Sequence, residues 1–309
     1  MAASIFQTNS TIVRNTTLAL LRLRFAVGSW LQPDATLQRA YRLFCTPYAS
    51  SRRRALEAGT GGAAMSTLAH GDERIAVYTW GDPRSRPWIL LAHGWSSHAT
   101  RFLAWIEPLR RAGYAVVGFD QLAHGRSSGQ RTTLPEFASV LAAVAAQYGR
   151  AAAVIGHSMG GAAATLALAD GLAAERAILI APLADPIAAA SRFSHFVGLA
   201  ERLAGHLFDA YERTHALRVA SLQAHLKSPA IGCPALVVHD LDDREVPWAE
   251  GERYVRHWQA ARLLTTTGLG HHRIVDESGV IHAALRFLHG ETVGERVVSS
   301  PNLPYGFAC

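Results

Sequence analysis

Lysine is almost missing from this chain of 309 residues. Lys227 is the sole example, and every other one of the 30 basic residues is arginine. Most lysine chemistry is thereby excluded, including a phosphate-loop lysine and a lysine-rich tail. Cysteine is also scarce. Cys45, Cys233 and Cys309 are an odd number without metal-ligand spacing, which implies a reducing compartment, no disulfide framework and no zinc site. Long apolar runs are absent too. Residues 18–31 are broken by Arg22 and Arg24, so they are too short and too charged for a membrane span. No small-residue cleavage site follows that run, so no secretory leader is expected and a cytoplasmic location is.

What is present is a globular composition, 49% hydrophobic and 17% charged, in a chain long enough for one large α/β domain. The net charge of +6 is unevenly placed. Residues 1–60 hold eight arginines against Asp34 and Glu57, while the remainder is neutral. The charge therefore describes an N-terminal segment, and nucleic acid is not an expected partner.

That segment predicts two helices. One covers about 10–31. The other starts at Pro33-Asp34, carries Leu37, Tyr41 and Phe44 on one face, and stops at Pro47. Residues 50–64, with Arg52, Arg53, Arg54 and three glycines, read as a linker. The expected division is a basic helical extension and linker over 1–64, a main domain over 65–290, and a tail over 291–309.

From Arg74 the pattern becomes strand–helix alternation. Residues 74–80 alternate and end at a Gly81-Asp82-Pro83 turn, and short apolar runs at 88–92, 115–119, 151–155, 177–180 and 235–238 lead into Gly, Asp or Pro, with helical stretches at 134–148 and 161–172 between them. Such runs are buried parallel strands, and the class is α/β with a doubly wound, mostly parallel sheet. Residues 186–228 break the alternation with a helical apolar stripe through Phe193, Val197, Leu203 and Leu207, an insert between two strands.

Gly156-His157-Ser158-Met159-Gly160 lies between a strand and a helix. A sharp turn there strains the backbone of Ser158, demands small residues on either side, and aims helix-start amides such as that of Met159 at a reacting oxygen. A serine nucleophile needs a base and an orienting acid. Acids follow a strand at Asp240, Asp242 and Asp243; histidines follow another at His271 and His272. In Ala92-His93-Gly94-Trp95, Gly94 permits close backbone approach, so the Trp95 amide is the second oxyanion donor and the His93 side chain shapes the loop.

Residues 72–290 resemble the α/β-hydrolase superfamily. The resemblance rests on His93-Gly94-Trp95, on Asp120 through Ser127, on Gly156 through Gly160, on Asp243 through Val246-Pro247, and on Gly270-His271. It implies Ser158 as nucleophile, Asp243 as acid and His271 as base, with an oxyanion hole from the Trp95 and Met159 amides. It implies that Asp120 and His124-Gly125 are structural, and that the insert is a helical cap. Asp240 departs from the pattern, since relatives often have glycine there.

The expected function is a serine hydrolase cleaving an ester or thioester, carboxylesterase- or lipase-like, through an acyl-enzyme on Ser158, with no cofactor or metal. Alternatives with the same triad are C–C hydrolysis, peptidase action and acyl transfer; a non-catalytic binding module is the reading from another class. The partner is a small-molecule acyl ester, with Trp95 lining its pocket. The basic helices of residues 1–60 either pack on the protein or give weak attachment to an anionic membrane surface. Oligomeric state is not legible.

Overall fold

Eight strands form one sheet in the order β1-β2-β4-β3-β5-β6-β7-β8. The computed structural model describes residues 2–215 and 217–296. The strands are β1 (Ala64–His70), β2 (Glu73–Trp80), β3 (Trp88–Ala92), β4 (Ala115–Phe119), β5 (Ala153–His157), β6 (Ala177–Ile180), β7 (Ala235–Asp240) and β8 (Ala261–Thr266). The β1–β2 and β2–β4 pairs are antiparallel; every pair from β4 to β8 is parallel. The fold is that of an α/β hydrolase with a helical insert after β6.

The strand sequences explain this layering. Period-2 alternation sends Ile75, Val77, Leu90 and Ala92 to one face, against helices Leu134–Ala145, Met159–Ala169 and Trp248–His257. Their neighbours Ala76, Tyr78, Ile89 and Leu91 go to the other face, against Leu103–Arg111 and Ser278–Leu288. With both faces covered, β3, β4, β5, β6 and β7 are buried along their whole length, which is why they read as unbroken apolar runs. The chain turns in opposite directions on leaving β3 and β5, so the loops after these adjacent strands open at a topological switch point.

Residues 50–64 are not a linker. Helix Ala49–Glu57 occupies most of them, with Ser51 and Ala55 buried, and β1 begins at Ala64. Arg52 explains why a basic, low-hydropathy stretch is ordered: its guanidinium donates to the carbonyls of Gly125 (3.1 Å), Gly129 (3.2 Å) and Ser127. β1 escaped the sequence reading because it is a mostly exposed edge strand. After the last helix, Glu295 bridges to Leu263 of β8. From residue 297 onward the tail assigned to 291–309 lies outside the described residues.

The chain forms two units: Pro47–Asp185 with Leu222–Cys309, and Met1–Thr46 with Pro186–Ser221. The second is all-helical and discontinuous in sequence. Its core joins Phe25 and Ala40 from the N-terminal helices to Ala190, Val197, Leu199, Leu203 and Leu207 from the insert. The first helix, Ala2–Leu31, crosses Pro33–Phe44 closely at Gly28, where a Cβ would lie 2.6 Å from Thr36 Oγ1. Phe44 packs edge-on against Phe193 at 5.1 Å and Phe208 at 5.5 Å. Polar contacts fix the register: Arg22 Nε donates to Phe196 O at 2.9 Å, and the Ala200 amide donates to Ser29 Oγ at 3.2 Å.

Candidate active site

Ser158 sits between β5 and the helix Met159–Ala169 with φ of 54° and ψ of −122°. A non-glycine residue seldom takes this left-handed conformation, and the surroundings enforce it. The Ser158 amide donates to Ile180 O at 2.9 Å. Gly156 and Gly160 leave no alternative residue: a Cβ on Gly156 would be 2.6 Å from Gly160 O, and one on Gly160 would be 2.3 Å from Ala92 O. The elbow therefore presses against the end of β3. A Cβ on Gly94 would approach Ser158 Cβ to 2.9 Å, which places the His93-Gly94-Trp95 loop directly beside the serine. Among the described residues, the Trp95 and Met159 amides donate to no protein acceptor.

The three acids that the sequence leaves in competition have three different partners. Asp243 is the one that meets a histidine after β8: its Oδ2 accepts from His271 Nδ1 at 2.7 Å, with both side chains buried. Its Oδ1 accepts from the Glu245 and Val246 amides, each at 2.9 Å. His239 Nε2, which donates to Val246 O at 2.9 Å, lies 3.5 Å from Oδ2. Burial alone would raise the Asp243 pKa, but His239, His271 and the amides hold it below the usual carboxylate range. Asp242 accepts instead from the Gly268 amide at 2.8 Å.

Asp240 is fully buried and joins the two loops. Oδ1 accepts from the amides of Asp242 and Gly270, each at 3.0 Å, and Oδ2 from Thr266 Oγ1 at 2.7 Å and the Leu269 amide at 3.1 Å. One carboxylate thus ties the segment carrying Asp243 to the segment carrying His271. Burial opposes its charge, yet these four donors lower its pKa. The signal in the sequence was the aspartate standing where glycine is common.

His272 turns away from this cluster and pairs with Glu245, Nε2 to Oε1 at 2.8 Å, and that pairing raises its pKa. The loop carrying His271 is also linked to the turn at Ser158. His157 Nε2 donates to the His271 carbonyl at 3.0 Å, and the two rings are 4.8 Å apart. Burial and the neighbouring His271 keep His157 neutral, its pKa far below the ordinary value. This link was not read from the sequence, where His157 is merely the variable position of the turn.

The His93-Gly94-Trp95 loop has its own supports. His93 Nδ1 donates to Gly94 O at 2.7 Å, and its Nε2 accepts from the Gln121 amide at 2.9 Å. His124 follows the same pattern, donating to Leu122 O at 2.9 Å and accepting from the Ser96 amide at 2.9 Å. Burial lowers both pKa values to about 3, so both rings are neutral. Asp120 accepts from the Ala99 amide, Tyr78 Oη and the Arg126 amide, each at 2.8 Å. The Tyr48 amide, just before helix Ala49–Glu57, donates to Ser96 Oγ at 2.9 Å. The Trp95 indole packs on His124 (5.2 Å) and Phe137 (6.2 Å). The structure thus joins Asp243 to His271 directly and sets Gly94 against Ser158. Among the described residues, no His, Cys, Asp and Glu cluster could hold a metal ion.

Residues 83–228 match the family model described as serine aminopeptidase, S33. The eight-stranded sheet, the elbow after β5 and this match decide the assignment. The chain has the fold of the α/β-hydrolase superfamily. Among solved structures, this hydrolase is similar to an esterase of Pyrococcus furiosus, with a TM-score of 0.58 and 21% identity over 74% of this chain and 92% of that one. It is also similar to the thioesterase domain from the curacin biosynthetic pathway, with a TM-score of 0.55 and 20% identity over 74% of this chain and 99% of that one. A monoacylglycerol lipase of Mycolicibacterium smegmatis is 34% identical over 100 residues, which is 29% of this chain and 36% of the lipase. The chain therefore matches only about a third of that curated relative's length.

Proposed function

We propose that this hydrolase cleaves a carboxylic ester or thioester through an acyl-enzyme on Ser158. The observation that carries the reading is the left-handed backbone of Ser158, φ 54°, held by Gly94, Gly156 and Gly160. The buried His271–Asp243 bond supplies the base and its orienting acid. Because Nδ1 donates to Asp243, Nε2 is the basic nitrogen of the neutral ring. Ser158 Oγ attacks the carbonyl carbon while His271 Nε2 takes its proton, and Asp243 stabilises the imidazolium. The amides of Trp95 and Met159 bind the oxyanion. The proton returns to the leaving alcohol or thiol as the C–O or C–S bond breaks. Water, deprotonated by His271, then releases the acid and restores Ser158. Lipase, esterase and thioesterase names among the relatives favour ester-type substrates. The small number of cysteines supports a reducing, cytoplasmic setting.

A second reading, a peptidase with the same three residues, is favoured by the description of the matching family model. Labelling with a fluorophosphonate probe tests the common step: the expected result is one adduct, on Ser158. Ser158→Ala should remove labelling and turnover while circular dichroism is unchanged. Folded protein that stays unlabelled rejects the serine-hydrolase reading. A panel of aryl esters, acyl thioesters and aminoacyl anilides then separates the substrate classes.

A further inference from the structure

Over residues 16–31 the helix Ala2–Leu31 has two apolar faces. One face, through Leu21, Phe25 and Ser29, is turned into the core of the helical unit. The other carries Leu20, Leu23, Val27, Trp30 and Leu31, all exposed, Trp30 by 75% and Leu31 by 76%. At 100° per residue these five positions fall within one arc of about 100° and extend roughly 16 Å along the helix. Large side chains gathered on one exposed stripe are not the scattered apolar residues of an ordinary surface.

Arg24 and Arg39 line the same groove as Leu20, Leu23, Val27 and Leu31. Across residues 16–46 the charged residues are Arg22, Arg24, Arg39, Arg42 and the single acid Asp34. At the far end, the Arg202 guanidinium lies 4.5 Å from the centre of the Trp30 ring. The pattern is an apolar ridge bordered by guanidinium groups, with an aromatic residue at its end.

We propose that this ridge is a docking surface for an anionic phospholipid bilayer. The helix would lie in the interface, with Leu20, Leu23, Val27 and Leu31 entering the acyl boundary, Trp30 at headgroup depth, and the arginines on lipid phosphates. No helix among the described residues is long and apolar enough to cross a membrane, so the contact is peripheral. The charge pattern decides between lipid and a second copy of this chain. A two-fold pairing of the ridge would set Arg24 and Arg39 against their own counterparts, with Asp34 the single acid of residues 16–46 to offset them, whereas anionic headgroups provide opposite charge. The proposal is independent of the reaction assigned to Ser158.

Flotation of the full chain with vesicles tests it, using phosphatidylcholine alone or with about 30 mol% phosphatidylglycerol. The expected result is co-flotation with the anionic vesicles only, weakened by high salt. Leu23→Glu with Val27→Glu should cut the bound fraction about tenfold or more, because two apolar anchors are lost at exposed positions that folding does not need. Arg24→Glu with Arg39→Glu should cut it comparably. Unchanged circular dichroism and thermal midpoint show that both variants fold. Wild-type protein that fails to float with anionic vesicles overturns the proposal. So does equal binding to neutral vesicles, or wild-type binding by the Leu23/Val27 variant. Sedimentation velocity completes the test: a dimer abolished by that variant, without vesicle binding, assigns the ridge to a second copy and also overturns the proposal.

Discussion

Replacing Asp240 by alanine strands four donors at once: the Asp242, Leu269 and Gly270 amides and the Thr266 hydroxyl. The donors are part-buried, and a hydrogen bond of this kind is worth about 0.5–1.5 kcal/mol net, so Asp240→Ala should lose about 2–6 kcal/mol of stability, read by urea unfolding. The more telling readout is kinetic. Asp240 touches neither His271 nor the serine, but it sets the distance between the loops that carry Asp243 and His271. Under the mechanism proposed for Ser158 and His271, Asp240→Ala should lower kcat about tenfold or more with KM nearly unchanged, because a displaced base affects the transition state rather than substrate binding. Wild-type kcat in this variant would show that the loops hold their places without it. At the same scale, Gly160→Ala forces a Cβ to within 2.3 Å of Ala92 O, a backbone atom that cannot swing aside. That variant is expected to be insoluble or severely destabilised.

The loops after β3 and β4 are cross-linked by two histidines acting as acceptors. His93 Nε2 takes the Gln121 amide and His124 Nε2 the Ser96 amide, so protonating either ring breaks the bond that fixes it. In the unfolded chain both titrate near the ordinary value of 6.5, against about 3 in the fold. Between those limits the unfolded state binds more protons, so stability falls as pH falls. Each group contributes a slope of about 1.4 kcal/mol per pH unit within this window and none above it. Urea midpoints from pH 7.5 to pH 4 should show a plateau and then this decline, with buried His157 adding in the same direction. His93→Gln, which keeps an acceptor but cannot titrate here, should flatten the decline; an unaltered slope would place the titration elsewhere.

How far the elements were legible follows from what decides each of them. β3, β4, β6 and β7 announce themselves because a strand covered on both faces must be apolar throughout. β1 and helix Ala49–Glu57 do not, because one is a solvated edge and the other is held by Arg52 on carbonyls more than 70 residues away. The site divides in the same way. The turn around Ser158 is written in neighbouring residues, since its glycines answer a local clash. The choice among Asp240, Asp242 and Asp243 depends on residues 266–271, which reach the acid loop only when β7 and β8 pair. Sequence spacing could rank those acids but could not give Asp240 its role.

At the scale of the molecule, the insert is not closed by its own residues. Phe25 and Ala40 complete the core that Ala190, Val197, Leu199, Leu203 and Leu207 begin. Phe25→Ala should therefore cost about 3–5 kcal/mol locally. Hydrogen exchange should show it as lost protection in residues 186–221 with the parallel strands unaffected. Uniform deprotection of the whole chain would indicate instead that the two units unfold together.

The same discontinuity bears on how the chain is born. Residues 1–46 leave the ribosome about 140 residues before the insert that completes their core. At about 5–20 residues per second, that is a wait of roughly seven to thirty seconds. Throughout it, the side of the first helix that ends up buried, with Leu21 and Phe25, stands as uncovered as the side that never is. The nascent chain thus spends its early life with a doubly greasy, arginine-studded helix.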